Sequence, residues 1–199
     1  MRSAVAVFVA ALLCSLPSLL SCAAAVPPAI RDELARAPRG TVTVIVFTDF
    51  QCPFCRRAHA ALAPLVAKRQ GRVRVVLRHV PLIQHPDART AARAAVCSEP
   101  LASYEEVVHA LYVSPDLGEA ACEELAVARG AERERFKRCV ADPSTDARID
   151  RDVAIYDAVH GDGVPILYVG RARLEGAQPS DILDAALDDA ARDLDASQR

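Results

Sequence analysis

The sequence predicts an interrupted α/β fold from three observations. A strand pattern, a helical pattern and a second strand pattern follow one another over residues 41–80. A long helical stretch then separates this unit from a two-strand hairpin, and a final helix closes the chain. Strand, helix and strand in that order make a βαβ unit, whose strands run parallel.

The first element, "VPPAIRDELARAPRG" (26–40), reads as a short helix closed by Pro38 and Gly40. "TVTVIVFTDF" (41–50) is β-branched and largely apolar, as expected of a strand covered on both faces. From Pro53 to Arg69, Ala58, Leu62, Leu65 and Val66 recur at helical spacing, and Gly71 ends the segment. "RVRVVLRHV" (72–80) alternates as the second strand, and Pro81 and Pro86 punctuate the loop "PLIQHPDA". Residues 88–158 are helical in several pieces. "DARTAARAAVCSEP" and "ASYEEVVHALYVS" come first, with Val107, Val108 and Leu111 as core. "LGEAACEELAVARG" and "AERERFKRCVAD" flank Gly130 as a helical hairpin, and "TDARIDRDVAIYDAVHG" comes next. "VPILYVG" and "RARLEG" form a hairpin around Gly170 and Arg171. "PSDILDAALDDAARDL" begins its helix with Pro179 and Ser180.

No repeat and no long linker divides the chain. At 199 residues and 52% hydrophobic content it buries the core of one domain. Its net charge of −2 comes from interleaved acids and bases, so no basic stripe invites nucleic acid and no acidic block marks a disordered tail. The start has the order of an export signal. Met1 and Arg2 supply a positive end, and "AVAVFVAALLCSLPSLL" is an apolar run too short, and too broken by Pro17, for a membrane span. Two readings stay open for residues 1–25. Cleavage after "AAA" (Ala23–Ala25) leaves a chain beginning near Val26, whereas "LLSC" marks Cys22 for lipidation. An uncleaved anchor is a third. All three place the domain outside the cytosol, most simply in the periplasm, where disulfides persist.

With Cys14 and Cys22 set aside, Cys52, Cys55, Cys97, Cys122 and Cys139 remain. The number is odd, so at least one thiol is unpaired or works with a partner molecule. A free cysteine near pKa 8.5 is only about 3% thiolate at pH 7. Cys52 stands where a helix N-terminus corrects this: unpaired N–H groups and the helix dipole favour a negative sulfur, and Pro53 takes the favoured first helical position. Cys55 lies one turn inward and more shielded. A metal site is the chief rival, since His59 completes a C-x-x-C-x-x-x-H pattern, but no second C-x-x-C is present. A structural crosslink is weaker still, because so short a loop restricts the unfolded chain little. His59 reads better as a packing histidine. His79 and His85 flank the loop after the second strand, where lining the active-site side is one reading and unremarkable loop histidines the simpler one, and His109 and His160 read as structural. Cys122 and Cys139 mirror each other about Gly130, so a hairpin would bring them side by side.

At "FTDFQCPFC", "VPLIQHPDARTAARAAVC" and "GVPILYVG" the chain resembles the thioredoxin superfamily, specifically its DsbA-like branch with a helical insertion. The resemblance spans Thr41 to Leu194. It implies a thioredoxin-like fold, with the core at 41–85 and 159–199, the insertion at 86–158 and an N-terminal segment at 26–40. It implies that Cys52 and Cys55 are the catalytic pair, and that Pro165 is a cis-proline beside which Val164 and Phe54 meet substrate. It implies that Cys97 pairs with Cys139, leaving Cys122 free and buried. Two departures stand out. Members often carry a buried acid at the position of Val46, thought to relay a proton for the inner thiol; without a substitute, deprotonation of Cys55 would be slow. Asp49 is nearer, but strand alternation turns it toward a different side. No convincing edge strand precedes Thr41 either, so the sheet is expected to be trimmed.

The dipeptide between the cysteines supplies an aromatic surface in Phe54 and no side-chain donor, while Arg56 and Arg57 add positive charge that favours the Cys52 thiolate. The expected function is that of an exported thiol–disulfide oxidoreductase acting on cysteine-containing substrate proteins. It needs no organic cofactor and no metal, because the disulfide carries the two electrons. A monomer recharged by a membrane redox partner is expected, because the chain lacks the N-terminal dimerisation domain of isomerase-type relatives. The rival class is a thioredoxin-fold binding lipoprotein that uses its cysteines for metal.

Overall fold

The computed structural model describes residues 26–197. The leader, with its cleavage readings and the expected lipidation at Cys22, lies outside the described residues. The elements are α1 (Pro28–Ala35), β1 (Val42–Thr48), α2 (Pro53–Lys68), β2 (Val73–His79), α3 (Ala88–Ser98), α4 (Tyr104–Val113), α5 (Glu119–Val127), α6 (Arg133–Ala141), α7 (Pro143–Ala158), β3 (Ile166–Val169), β4 (Ala172–Glu175) and α8 (Ser180–Ser197).

Four strands form one sheet in the order β2-β1-β3-β4. β1 runs parallel to β2, with Val44 opposite Val75, and antiparallel to β3, with Val46 opposite Leu167. Every residue of β1 is buried, as a strand between two covered faces requires. On one face, Val42, Val44 and Val46 pack with Leu62 and Leu65 of α2 and Leu183 and Leu187 of α8. On the other, Ile45 and Phe47 join Ile30 of α1, Tyr156 of α7, and Val107 and Leu111 of α4. Each such side chain contributes about 1.5–3 kcal/mol by leaving water. The hairpin from β3 to β4 turns at Gly170, whose φ of 56° favours glycine.

Among the described residues no strand precedes β1, so β2 is an edge. Its polarity alternates, but its burial does not: Val73 to Arg78 are all half-buried. Val73, Val75 and Leu77 face α2, while Arg74 and Arg78 lie beneath α1 and α7. Glu33 of α1 accepts hydrogen bonds from Arg74 at 2.7 Å and Arg78 at 2.6 Å. Arg78 also pairs with Asp152 of α7 at 2.9 Å, and the other oxygen of Asp152 accepts the His79 N–H at 3.0 Å. Ion pairs therefore cover a face that apolar packing leaves open. His79 ends β2, within the strand expected at 72–80, but it is a core residue and no loop histidine: it is 1% exposed, with its ring 5.8 Å from that of Phe50. Burial lowers its pKa to about 4, which keeps the ring neutral.

Helices α3 to α7 lie between β2 and β3 in sequence. A disulfide joins Cys97 of α3 to Cys139 of α6, with Cα atoms 5.8 Å apart. The hairpin alternative, Cys122 with Cys139, is not formed. Cys122 is free and buried, its Sγ donates to the Leu117 carbonyl at 3.3 Å, and burial pushes its thiol up to about 12.

Two stability effects are expected. Replacing Cys97 and Cys139 together by alanine removes a crosslink across 42 residues. The chain-entropy relation puts the loss at about 4 kcal/mol, readable by urea denaturation, and a loss under about 1 kcal/mol would mean the unfolded chain gains little freedom. Burial tends to raise the Glu33 carboxyl, but the Arg74 hydrogen bond and the Arg78 and Arg74 charges outweigh it and hold the group below its usual range. Glu33→Gln should cost about 1–2 kcal/mol at neutral pH. Because the folded pKa is the lower one, this difference should be complete above the unfolded carboxylate pKa and close as pH falls through the folded value. A difference independent of pH would show that packing, not charge, is lost.

Candidate active site

β1 ends at Thr48, and the next residue makes the turn. The Asp49 carboxylate is fully buried: Oδ1 accepts the N–H groups of Gln51 at 2.7 Å and Cys52 at 3.3 Å. Such local capping sends the backbone out of the strand and delivers Cys52 to the N-cap of α2, with Pro53 at the first helical position. Oδ2 accepts the Leu82 N–H at 2.9 Å and meets His85 Nδ1 at 2.8 Å, tying the loop after β2 to the same turn. Gln51 adds a clamp, accepting the Asp87 N–H at 2.7 Å. The structure corrects the expectation that Asp49 faces away from the cysteines. Its carboxylate holds the Cys52 backbone, and its own N–H donates to Cys55 Sγ at 3.5 Å.

Cys52 and Cys55 are 5% and 1% exposed and both are free thiols. The Cys52 thiol is drawn down to about 6, first by a hydrogen bond from the Cys55 thiol, with the Cys55 and Phe54 backbone N–H groups adding to it against burial and the Asp49 charge. The same hydrogen bond and burial push the Cys55 thiol upward. Arg56 and Arg57 do not drive the shift. Arg56 donates to the Phe50 carbonyl at 2.9 Å, and the Arg57 guanidinium lies 4.5 Å over the Phe54 ring. Across from the pair, the Val164–Pro165 bond is cis, and the Val164 carbonyl accepts from Cys52 Sγ at 3.7 Å. Phe54 is 51% exposed beside the cysteines.

His59, the metal candidate, is engaged elsewhere. Its Nε2 meets His109 Nδ1 at 3.2 Å, and its ring stacks on Tyr112 at 4.3 Å. Among the described residues no three His, Cys, Asp or Glu side chains gather to hold a metal ion. Val46 lines a cavity of about 510 Å³ with His59, His109 and Tyr112, and puts no charge there. Sequence reasoning missed Thr48 and Tyr112, whose hydroxyls meet at 2.7 Å behind Cys55. The available signal was a threonine closing a largely apolar strand, two residues on from Val46 and so on the same face.

Residues 37–189 match the family model described as Thioredoxin. A thioredoxin-like oxidoreductase from Silicibacter pomeroyi DSS-3 is 31% identical and superposes with a TM-score of 0.68 over 78% of this chain and 89% of that one. The thiol-disulfide exchange protein alpha-DsbA2 from Wolbachia pipientis, at 17% identity, shares the fold with a TM-score of 0.70 over 81% of this chain and 91% of its own. A Na(+)/H(+) antiporter, NhaA 3 from Salinispora tropica, is 31% identical over 159 residues, which is 79% of this chain but 24% of the antiporter. The chain thus spans about a quarter of the length of the curated relatives it matches, and no helix among the described residues is long and apolar enough to cross a membrane. From its sequence match and its architecture, the chain belongs to the thioredoxin family, with the DsbA-type fold and its helical insertion.

Proposed function

We propose that this protein is an exported thiol–disulfide oxidoreductase that exchanges disulfides with cysteine-containing substrate proteins through Cys52 and Cys55. The observation that carries the reading is the placement of Cys52 at the N-cap of α2, one turn from buried Cys55 and 3.7 Å from the Val164 carbonyl at the cis bond. The two thiols are displaced in opposite directions, one toward the thiolate and one away from it. Such a split suits an attacking sulfur and a resolving sulfur. In the reducing direction, the Cys52 thiolate attacks a substrate disulfide, whose other sulfur leaves as a thiolate. Cys55 then loses its proton and attacks Cys52, releasing the second substrate sulfur and leaving the Cys52–Cys55 disulfide. The reverse sequence oxidises a substrate dithiol. The disulfide itself carries the two electrons.

Val164 and Pro165 border Cys52 with backbone, so an extended substrate can add there as a strand, and exposed Phe54 offers an apolar contact. The leader pattern and the Cys97–Cys139 crosslink support export to the periplasm, with Cys22 as the site of any lipid anchor. A membrane redox partner would restore the working state of a monomer. A Cys52 pKa of about 6 lies between the thioredoxin and DsbA values.

Cys52→Ser should abolish insulin reduction, and substantial residual turnover would overturn the mechanism. Cys55→Ser should instead accumulate a mixed disulfide with substrate, visible by mass spectrometry under denaturing conditions. Alkylation of reduced protein by iodoacetamide should titrate with a midpoint near 6 and lose that phase in Cys52→Ser. A redox titration in glutathione buffers should give a potential between about −270 and −120 mV. If the two thiols show no common transition, exchange is the wrong chemistry.

A further inference from the structure

Exchange in either direction passes negative charge through the Cys55 sulfur, and any role for the groups around that sulfur rests on Cys52–Cys55 exchange being the chemistry. As the resolving group, Cys55 must give up its proton before it attacks. When a substrate thiolate opens the Cys52–Cys55 disulfide at Cys52, Cys55 departs as the thiolate. Either way the charge develops on a sulfur that is 1% exposed, where bulk water cannot solvate it. In the free dithiol the hydrogen bond to Cys52 and burial both work against that charge, and burial still does so once Cys52 is bonded to substrate. Protein donors must offset them.

Two donors face the sulfur. One is the Asp49 N–H at 3.5 Å. The other is the hydroxyl of Thr48, the residue before Asp49 at the end of β1, whose hydrogen bond works to lower the Cys55 pKa. Thr48 Oγ1 also lies 2.7 Å from the Tyr112 hydroxyl, and both residues are buried, at 1% and 3% exposure. Phe50, at 4.6 Å, and His59, at 4.3 Å and nearly parallel, hold the Tyr112 ring in place. Burial raises the Tyr112 pKa, so the phenol keeps its proton, and burial lowers His59 to about 4, so the stacked imidazole stays neutral. Among the described residues the hydrogen-bond partner of the Tyr112 hydroxyl is Thr48. Either hydroxyl can donate across this contact, and a phenol proton given to Thr48 Oγ1 frees the Thr48 proton for sulfur.

We propose that Tyr112 and Thr48 form a two-hydroxyl donor chain, Tyr112 O–H to Thr48 Oγ1 and Thr48 O–H to Cys55 Sγ, that stabilises the Cys55 thiolate during exchange. Thr48 touches the reacting sulfur, and Tyr112 is a positioning residue that acts through it. During resolution the Cys55 proton passes to solvent, the Cys55–Cys52 bond forms as the Cys52–substrate bond breaks, and the departing substrate sulfur takes the electron pair and a proton. Neither hydroxyl is consumed. The other titratable groups around the pair are Cys52 and His59 on α2, Asp49 after β1, and His109 and Tyr104 on α4. The Asp49 carboxylate is engaged by Gln51, Cys52, Leu82 and His85. The segment at Val164 and Pro165 brings a carbonyl and no ionisable group.

The test uses single-turnover mixing of reduced protein with a model disulfide, followed by acid quench and mass spectrometry from about pH 5 to about pH 9. Thr48→Val and Tyr112→Phe should each slow resolution of the mixed disulfide by about tenfold and move its pH midpoint upward. Thr48→Ser should keep the wild-type profile, and the Thr48→Val/Tyr112→Phe pair should be no slower than Thr48→Val alone, because both break one chain. The Cys52 alkylation midpoint should stay put in all four. Wild-type rates and midpoints in Thr48→Val and Tyr112→Phe would overturn the proposal. Should Tyr112→Phe melt early, Thr48→Val against the wild type decides, since threonine and valine differ by a hydroxyl at nearly constant volume, and Thr48→Ser serves as the rescue that restores the hydroxyl. A wild-type protein that forms the mixed disulfide but never resolves it would overturn the exchange reading and the donor chain with it.

Discussion

The hydrogen bond between the two sulfurs decides which of them carries charge, and the surrounding structure keeps that decision in place. A shared proton stabilises a thiolate at Cys52 at the expense of one at Cys55, so the two shifts are a single effect seen from both ends. It survives only if the sulfurs keep their separation and orientation. β1 supplies the fixed end from which the turn springs, α2 fixes the spacing of one helical turn, and the cis-proline segment closes the third side. The apolar core on both faces of β1 makes that end immobile, because close-packed interiors do not yield to small displacements.

Asp49 shows a conflict between geometry and charge inside this arrangement. Its carboxylate holds the N–H groups that shape the turn, yet its negative charge pushes the Cys52 pKa the wrong way. The net shift is still downward, so the hydrogen bond from Cys55, aided by the backbone N–H groups, outweighs the carboxylate. An aspartate is kept close to a thiolate because its oxygens accept from the turn, the following loop and His85 together. An amide in its place would bring one oxygen and a donor to a set of donors.

Much of this was legible in the sequence, and the reasons differ by element. β1, α2 and the final helix announce themselves through long periodic patterns. The position of Cys52 at a strand-to-helix junction is legible too, because it is a local property. The Cys97–Cys139 pairing was not legible from spacing, since the hairpin about Gly130 offered Cys122 equally well; α3 and α6 meet only through tertiary packing. His79 lies in the strand where the pattern puts it, but its burial was not legible, because α7 reaches over it only through tertiary packing. Arg56 and Arg57 were weighed by distance along the chain. Their guanidinium groups follow the Phe50 carbonyl and the Phe54 ring, directions that sequence spacing does not carry.

The helical insertion has a closer tie to the chemistry than a cover would need. Tyr112 belongs to α4, so the insertion reaches the sulfur environment through a 2.7 Å contact with Thr48 at the end of the core strand. A hydrogen bond of that length is steep in distance, and a slide of about 1 Å by α4 would take the hydroxyls out of range. The position of α4 is set by its packing on α2, α3 and α5, and α3 is itself stapled to α6 by Cys97 and Cys139. A crosslink far from the reactive pair thereby braces the helix that faces Cys55. The chain's two cysteine pairs differ in state, one a pair of free thiols and one a crosslink, yet the second constrains the geometry around the first.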